Sequence, residues 1–277
     1  MTLLRWTQSA LIAAVMLAAA SGAFALEVFA GSVVAAPLRG VIADFEARTG
    51  EKVELHLGGS GTMLAQMELT GRGDVYIAGS PDFMELAEKK GLVDLATEVR
   101  PAYLVPVICV PRGNPGKIEK LADLARPGVR LGMGRPDTVC VGLYGVEMLE
   151  GAGVGAKAKS NVAVFAESCE KVAQLVGFGL VDAVIGWEVF ARWDPAHIKV
   201  VAPIPGEVKR IAYVAAAMTA KPREPAKARA FLDLLGSKMG RAHFTALGYS
   251  TDIEGARALA GEEAKVGGYY QLPPAWK

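Results

Sequence analysis

Residues 55–64 read Leu-His-Leu-Gly-Gly-Ser-Gly-Thr-Met-Leu. The apolar alternation before the glycines predicts a strand, and the apolar spacing after them predicts a helix. The glycines predict a tight turn with positive φ, and Ser60 or Thr62 is a candidate cap for the helix. Such a turn directs several backbone N–H groups and a hydroxyl at one point, so we interpret it as a candidate anion site.

The same design occurs in the segments on either side of this turn. Residues 26–30 and 74–78 predict two further strands, and each is followed by a helical pattern that ends at a glycine. Three consecutive βα units predict a parallel sheet with helices on its faces, and ligands bind at the carboxyl ends of such strands. We therefore expect one sheet edge to carry three glycine-serine pairs, Gly31-Ser32, Gly59-Ser60 and Gly79-Ser80.

An apolar run at residues 103–111 interrupts this alternation of strands and helices and predicts a crossing strand. Further βα units then follow, and residues 211–216 predict a second crossing strand that returns to the first lobe. The order predicts an α/β protein with two lobes, each a mainly parallel sheet flanked by helices. The two crossing strands would form the hinge, and the ligand would lie in the cleft between the lobes.

The first 25 residues are typical of a secretory signal peptide. Arg5 precedes an apolar run at residues 10–20, and Ala23 and Ala25 are the small residues of a cleavage site, which predicts cutting after Ala25. The apolar run is short for a membrane-spanning helix. We therefore expect a periplasmic mature protein.

These patterns predict the following domain boundaries. The first lobe comprises residues 26–105 and 204–251, and the second lobe comprises residues 106–203. Residues 252–277 form a polar, glycine-rich tail, which we interpret as a peripheral helix and a loosely held terminus.

The composition limits the classes of partner. A chain of 277 residues with 52% apolar residues can bury the cores of two lobes. A formal charge of +1 gives no basis for a nucleic-acid partner. We expect a monomer that binds a small ligand and needs no cofactor.

Four motifs resemble the periplasmic molybdate-binding proteins of ABC importers. They are Val28-Phe29-Ala30-Gly31-Ser32, Gly58-Gly59-Ser60-Gly61-Thr62, Asp74-Val75-Tyr76-Ile77-Ala78 and Pro136-Asp137-Thr138-Val139. The resemblance covers nearly all of residues 27–249 and is strongest in the first lobe. It implies the two-lobe periplasmic-binding-protein fold, an oxyanion such as molybdate or tungstate in the cleft, and delivery to the membrane permease of an ABC transporter.

The resemblance also implies the oxyanion contacts. Ser32 and Ser60 would donate hydroxyl and backbone N–H groups from the turns that contain Gly31 and Gly59, and Val139 would donate its backbone N–H at a helix start. A tyrosine is usual at the position of Trp187, whose indole N–H can still donate one hydrogen bond. Glu188 follows it, and a carboxylate that faced the cleft would repel a dianion.

Cys140 and Cys169 each lie at the predicted start of a helix on the cleft side of the second lobe. Three interpretations remain open: a disulfide suited to an oxidising compartment, two free buried thiols, or a soft-ligand site for a transition metal or thiophilic oxyanion, aided by Glu167 or Glu188. Cys109 lies in the apolar crossing strand and is expected to be a core residue.

An enzyme is the alternative from another class. A serine hydrolase would need a general base near Ser60, and the chain offers only His56, His197 and His243. Strand alternation does not direct His56 towards Ser60, so we interpret it as a half-buried strand residue. No His-Glu-x-x-His motif of a metal hydrolase is present. We therefore expect a binding protein and no catalytic residues.

Overall fold

The computed structural model describes residues 24–203 and 206–277. Most of the predicted signal peptide therefore lies outside the described residues, as do residues 204–205, where the first lobe is predicted to resume. In the described part of the chain, no helix is both long enough and apolar enough to cross a membrane.

Three parallel strands form one side of the first sheet, as predicted. Its five strands are β1 (Leu26–Gly31), β2 (Val53–Gly58), β3 (Val75–Ala78), β4 (Val93–Val99) and β12 (Ala215–Thr219). Their order is β2-β1-β3-β12-β4. β1 pairs in parallel with β2 and β3, whereas β12 pairs antiparallel with β3 and β4. The carboxyl ends of β1, β2 and β3 therefore share one edge.

Five helices accompany this sheet. They are α1 (Ala35–Thr49), α2 (Ser60–Thr70), α3 (Pro81–Lys89), α8 (Pro225–Gly236) and α9 (Lys238–Ala246). In α1, the buried Leu38, Val41 and Phe45 recur at helical spacing and form the face that packs on the core. The helix ends at Gly50, which has a φ of 73° and supplies the left-handed cap that the sequence predicts. We call this sheet and its helices the first half.

The second sheet is built in the same way. Its strands are β6 (Pro106–Pro111), β7 (Leu131–Gly134), β8 (Val162–Ala166), β9 (Ala183–Trp187) and β10 (Ile198–Val201). Their order is β10-β6-β9-β7-β8, with β7 parallel to β8 and β9 and with β6 antiparallel to β9 and β10. The associated helices are α4 (Cys140–Gly151), α5 (Gly155–Ser160), α6 (Cys169–Gly177) and α7 (Phe190–Trp193). We call this unit the second half.

Both predicted crossing strands are divided in the structure. The first becomes β5 (Tyr103–Leu104) and β6, separated by Val105, and the second becomes β11 (Arg210–Tyr213) and β12, separated by Val214. β5 and β11 pair antiparallel in a small third sheet. Each crossing segment thus changes sheets at one residue, which explains why an unbroken apolar run did not reveal the division.

The prediction of a loosely held terminus is wrong. After α10 (Ile253–Ala260), β13 (Lys265–Val266) pairs with β11, and Leu272 and Trp276 are buried. The Trp276 indole N–H also donates to Glu150 at 2.7 Å. Together with the buried Ala256, Ala260 and Ala264, these two large apolar side chains dock the tail on the body.

Candidate functional site

The serine turns of the first half meet at one edge of the sheet, as the sequence predicts. The backbone N–H of Gly79 donates to the Ser60 hydroxyl oxygen at 3.1 Å. A Cβ on Gly31 would lie 2.6 Å from the same oxygen. Ser32, Ser60 and Ser80 are all buried. The three turns therefore pack directly against one another.

The glycine turn of residues 58–61 differs from its prediction in two respects. Gly59 is the N-cap of α2 with a φ of −62°, so this turn does not use the left-handed region there. No side chain caps the helix, because Ser60 is its first residue and its hydroxyl is directed to Gly79 instead. The glycine serves another purpose, since a Cβ at Gly59 would lie 2.7 Å from the carbonyl oxygen of Thr138 and 2.9 Å from that of Glu167.

Because Gly59 and Gly61 have no side chains, the second half can approach this turn of the first half closely. Across this boundary, the Gly61 backbone N–H donates to the Thr138 carbonyl at 2.8 Å. The Cys169 backbone N–H donates to the Ser32 hydroxyl oxygen at 3.1 Å. These bonds join the turns of the first half to the starts of α4 and α6. The cleft between the halves is thus closed in this structure.

Val139 lies at this boundary, but its backbone N–H is already engaged. It is the N-cap of α4, and its N–H donates to the Arg135 carbonyl at 2.8 Å. The backbone N–H of Val141, two residues later, favours the ionised form of both cysteine thiols. The sequence indicates that a helix starts here. Whether its first N–H groups are free to bind a ligand depends on the preceding turn, where the Arg135 carbonyl accepts the Val139 N–H.

Cys140 and Cys169 face one another in the closed cleft. Their sulfur atoms are 3.7 Å apart, and both cysteines are buried free thiols. A disulfide requires about 2.05 Å, so the disulfide interpretation does not describe this structure. Cys109 is a separate buried thiol 3.8 Å from the Trp187 carbonyl, which agrees with its predicted place in the core.

The two thiols differ in acidity. Burial alone raises the pKa of Cys140, but the facing Cys169 thiol, Trp187 indole N–H and Ser60 hydroxyl outweigh burial and lower it. Burial and the neighbouring Cys140 raise the pKa of Cys169 well above its usual value. Cys140 therefore ionises first, because neutral donors surround its sulfur.

Trp187 is completely buried beside these sulfurs. Its indole N–H faces the sulfurs and favours the ionised form of both thiols, but it makes no hydrogen bond of ordinary length to any described residue. The ring packs edge to face against Tyr144, with centroids 5.2 Å apart, and the Tyr144 hydroxyl likewise lacks a partner in the described part of the chain. Tyr144 is not among the residues that the sequence predicts for the site, although its position four residues after Cys140 in a helix places both on one face.

Glu188 does not act as the cleft carboxylate that the sequence suggests. One of its oxygens accepts the Val105 backbone N–H at 2.6 Å, so the side chain braces the crossing segment. Burial raises the pKa of Glu188 to about 8, which keeps the carboxyl protonated at neutral pH. Glu167 is exposed and paired with Lys171 at 3.0 Å, outside the site.

We expect the raised pKa of Glu188 to make folding stability depend on pH. The folded protein holds this proton up to about pH 8, whereas the unfolded chain releases it near 4.5. The contribution of Glu188 to the free energy of unfolding should therefore be largest below the lower value and fall between the two, by at most about 1.4 kcal/mol per pH unit. Urea unfolding of wild type and Glu188→Gln across this range should show a steeper fall of the free energy of unfolding in wild type than in the variant. Parallel curves would contradict this account.

The histidines do not supply a general base at Ser60. His56 stacks on Phe29 with ring centroids 4.4 Å apart, and its Nε2 lies 3.3 Å from Glu27, as expected of a half-buried strand histidine. His197 and His243 pair with aspartates, Asp194 and Asp44. The three histidines are thus engaged away from Ser60.

Three comparisons place this geometry among known proteins. Over 160 residues the chain is 28% identical to a Haemophilus influenzae protein named as a binding protein, a match that covers 58% of this chain and 64% of that protein. The chain thus matches just under two thirds of the relative's length.

Two solved structures show the same fold at low identity. The periplasmic molybdate-binding protein of Azotobacter vinelandii has a TM-score of 0.67 and 20% identity, covering 82% of this chain and 99% of that chain. The sulfate-binding protein of Mycobacterium tuberculosis H37Rv has a TM-score of 0.71 and 19% identity, covering 88% and 93%. The predicted two-lobe periplasmic-binding-protein fold is confirmed. Residues 26–250 also match the family model of bacterial extracellular solute-binding proteins, and the chain belongs to that family.

Proposed function

We propose that this protein captures a tetrahedral oxyanion, molybdate or tungstate, in the cleft between its halves and delivers it to the membrane permease of an ABC importer. Membership of the solute-binding family supports capture and delivery. The proposal includes a periplasmic, monomeric protein released by cleavage after Ala25, and no cofactor. The solved molybdate- and sulfate-binding proteins of this fold support an oxyanion as the ligand.

The observation that carries the proposal is the buried, unpartnered indole N–H of Trp187 in the cleft. A buried donor without an acceptor costs about 1–3 kcal/mol, and a ligand oxygen would remove this cost. Ser32 and Ser60 support the same conclusion. Each hydroxyl oxygen already accepts a backbone N–H, so its own O–H remains available to donate.

Neutral donors suffice to hold such an ion. A helix start contributes roughly 0.3–1 kcal/mol to anion binding, and each charge-assisted hydrogen bond contributes about 1.5–3 kcal/mol. The starts of α4 and α6 both lie at the cleft, at Cys140 and Cys169, so the positive ends of both helix dipoles favour an anion there. Together with the serines and Trp187 they support roughly micromolar to nanomolar affinity after the cost of association.

Donors alone also provide selectivity. A protonated oxyanion such as hydrogen phosphate presents an O–H that would find no acceptor among these groups, and this loss weakens its binding. The cysteines fit the proposal as neutral thiols, because a Cys140 thiolate and a dianion would repel one another.

We expect Ser60→Ala to weaken molybdate or tungstate binding by about 1–3 kcal/mol, or roughly 5- to 150-fold, because one donor is lost. Isothermal titration measures the affinity, and a thermal-shift panel with molybdate, tungstate, sulfate, phosphate and arsenate identifies the ligand. Ser160→Ala, at an exposed serine that bonds only within its own turn, is the matched control. Unchanged affinity in Ser60→Ala would remove Ser60 from the site, and a panel without any oxyanion shift would overturn the proposal.

A further inference from the structure

We infer that the cleft also binds a thiophilic, tetrahedral metal ion of the zinc type through the sulfurs of Cys140 and Cys169. This inference concerns the same cleft as the proposed oxyanion site: the two sulfurs hold the ion, and Ser60 and Trp187, which the oxyanion proposal also uses, face the sulfurs. It depends on the sulfur geometry, on the elements that hold the two cysteines, and on the charge of the groups around them.

The separation of the sulfurs matches the geometry of a shared metal ion. Zinc–sulfur bonds are about 2.3 Å long, and two of them at a tetrahedral angle place their sulfurs about 3.8 Å apart. The observed separation is 3.7 Å. A metal ion with linear two-coordinate geometry would need the sulfurs roughly 4.5 Å apart. The observed separation therefore favours an ion with tetrahedral geometry.

The second half alone positions both sulfurs. Cys140 begins α4 after β7, and Cys169 begins α6 after β8, and these two strands are parallel neighbours in the second sheet. The pair therefore stays together when the halves separate, which would give an ion access to it. The first half then closes over the sulfurs, since a Cβ at Gly79 would lie 2.7 Å from the Cys140 sulfur.

The groups around the sulfurs carry no formal charge, so the thiolates themselves would balance the charge of a bound ion. When a divalent ion binds, each neutral thiol loses one proton, and one metal ion with two thiolates forms a neutral group. The groups that face the sulfurs are uncharged: Ser60, Trp187 and the backbone of Val141. Their N–H and O–H groups are suited to donate to the thiolates and orient them, and the indole N–H of Trp187 has no other partner among the described residues. Ser60 or water would complete the coordination.

A second group of ligand-type side chains serves as the control. Glu27, Glu54 and His56 lie close together at the edge of the first sheet. Glu27 is already paired with Arg72 at 3.0 Å and with Arg223 at 3.2 Å, so its charge is neutralised without a metal ion. His56→Ala therefore tests for metal binding that is unrelated to the sulfurs.

The experiment titrates the reduced, metal-free protein with Co²⁺ as an optical probe and with Zn²⁺ in competition against a chromophoric chelator. We expect one equivalent of Co²⁺ to give sulfur-to-metal charge-transfer absorption, which Zn²⁺ displaces. The double variant Cys140→Ser/Cys169→Ser should lose this absorption and bind Zn²⁺ at least about 100-fold more weakly. Cys109→Ala and His56→Ala should behave as wild type.

Absence of this absorption in the wild-type protein would overturn the inference without any variant, as would its persistence in the double variant. Thermal shifts with molybdate and tungstate on the same proteins separate this inference from the proposed function. If oxyanions raise the melting temperature but Co²⁺ gives no sulfur-to-metal absorption, the metal site alone is overturned. Metal absorption without oxyanion shifts supports the metal site and overturns the oxyanion proposal.

Discussion

We expect Arg210→Ala to lower the free energy of unfolding by about 3–5 kcal/mol, the cost of removing one partner of a buried ion pair. Arg210 lies on β11, where its guanidinium contacts Asp82 of the first half at 3.1 Å and Glu147 of the second half at 2.8 Å. Both carboxylates would lose their cation. Burial already raises the pKa of Glu147 despite Arg210, so its charged form depends on this contact.

In a protein of this size, the change corresponds to a melting temperature roughly 6 to 20 °C lower. Differential scanning calorimetry measures it. Lys90→Ala is the matched control, because Lys90 pairs with Glu68 on the surface and such pairs contribute about 0–1 kcal/mol. Equal melting temperatures for the two variants would show that Arg210 does not hold the halves together.

We expect Gly59→Ala to weaken molybdate binding by up to about 3 kcal/mol, or roughly 150-fold, while both halves remain folded. The new Cβ would lie 2.7 Å from the Thr138 carbonyl oxygen and 2.9 Å from that of Glu167. Both are backbone atoms of the second half and cannot move aside as a flexible side chain can. The added methyl group therefore opposes closure of the cleft and leaves the interior of each half unchanged.

Isothermal titration with molybdate gives the affinity, and the melting temperature without ligand reports on folding. Gly113→Ala is the matched control, since a Cβ there meets no atom within 4 Å. Wild-type affinity in Gly59→Ala would mean that binding does not require the closed contacts. If the oxyanion panel identifies another ligand, that ligand replaces molybdate in this test.

The first half is largely predictable from the sequence because its signals are local. Buried parallel strands appear as apolar runs, and residues 26–31, 53–58 and 75–78 each pass into a glycine-serine turn. The convergence of those turns then follows from the geometry of parallel strands. The sequence predicts a left-handed φ for the glycines of the turn, whereas Gly59 has an extended φ and provides room for the second half instead.

The residues that the second half contributes to the site were less predictable. Their hydrogen bonds and burial depend on contacts between distant segments. The engaged N–H of Val139 depends on the turn at Arg135, and the protonated state of Glu188 depends on burial against Val105. The role of Tyr144 appears only when its ring is seen against Trp187. Local patterns place such residues on a helix or strand but do not specify their hydrogen-bond partners.

The docked carboxyl terminus has a practical consequence for handling the protein. The backbone N–H of Tyr270 donates to Asp82 in the first half, whereas Trp276 donates to Glu150 in the second half. The last residues thus contact both halves. A purification tag or a biosensor tether fused after Lys277 would apply force to both halves during each cycle of capture and release. Tethers are better attached ahead of β1, where an immobilised molecule keeps both halves free to separate.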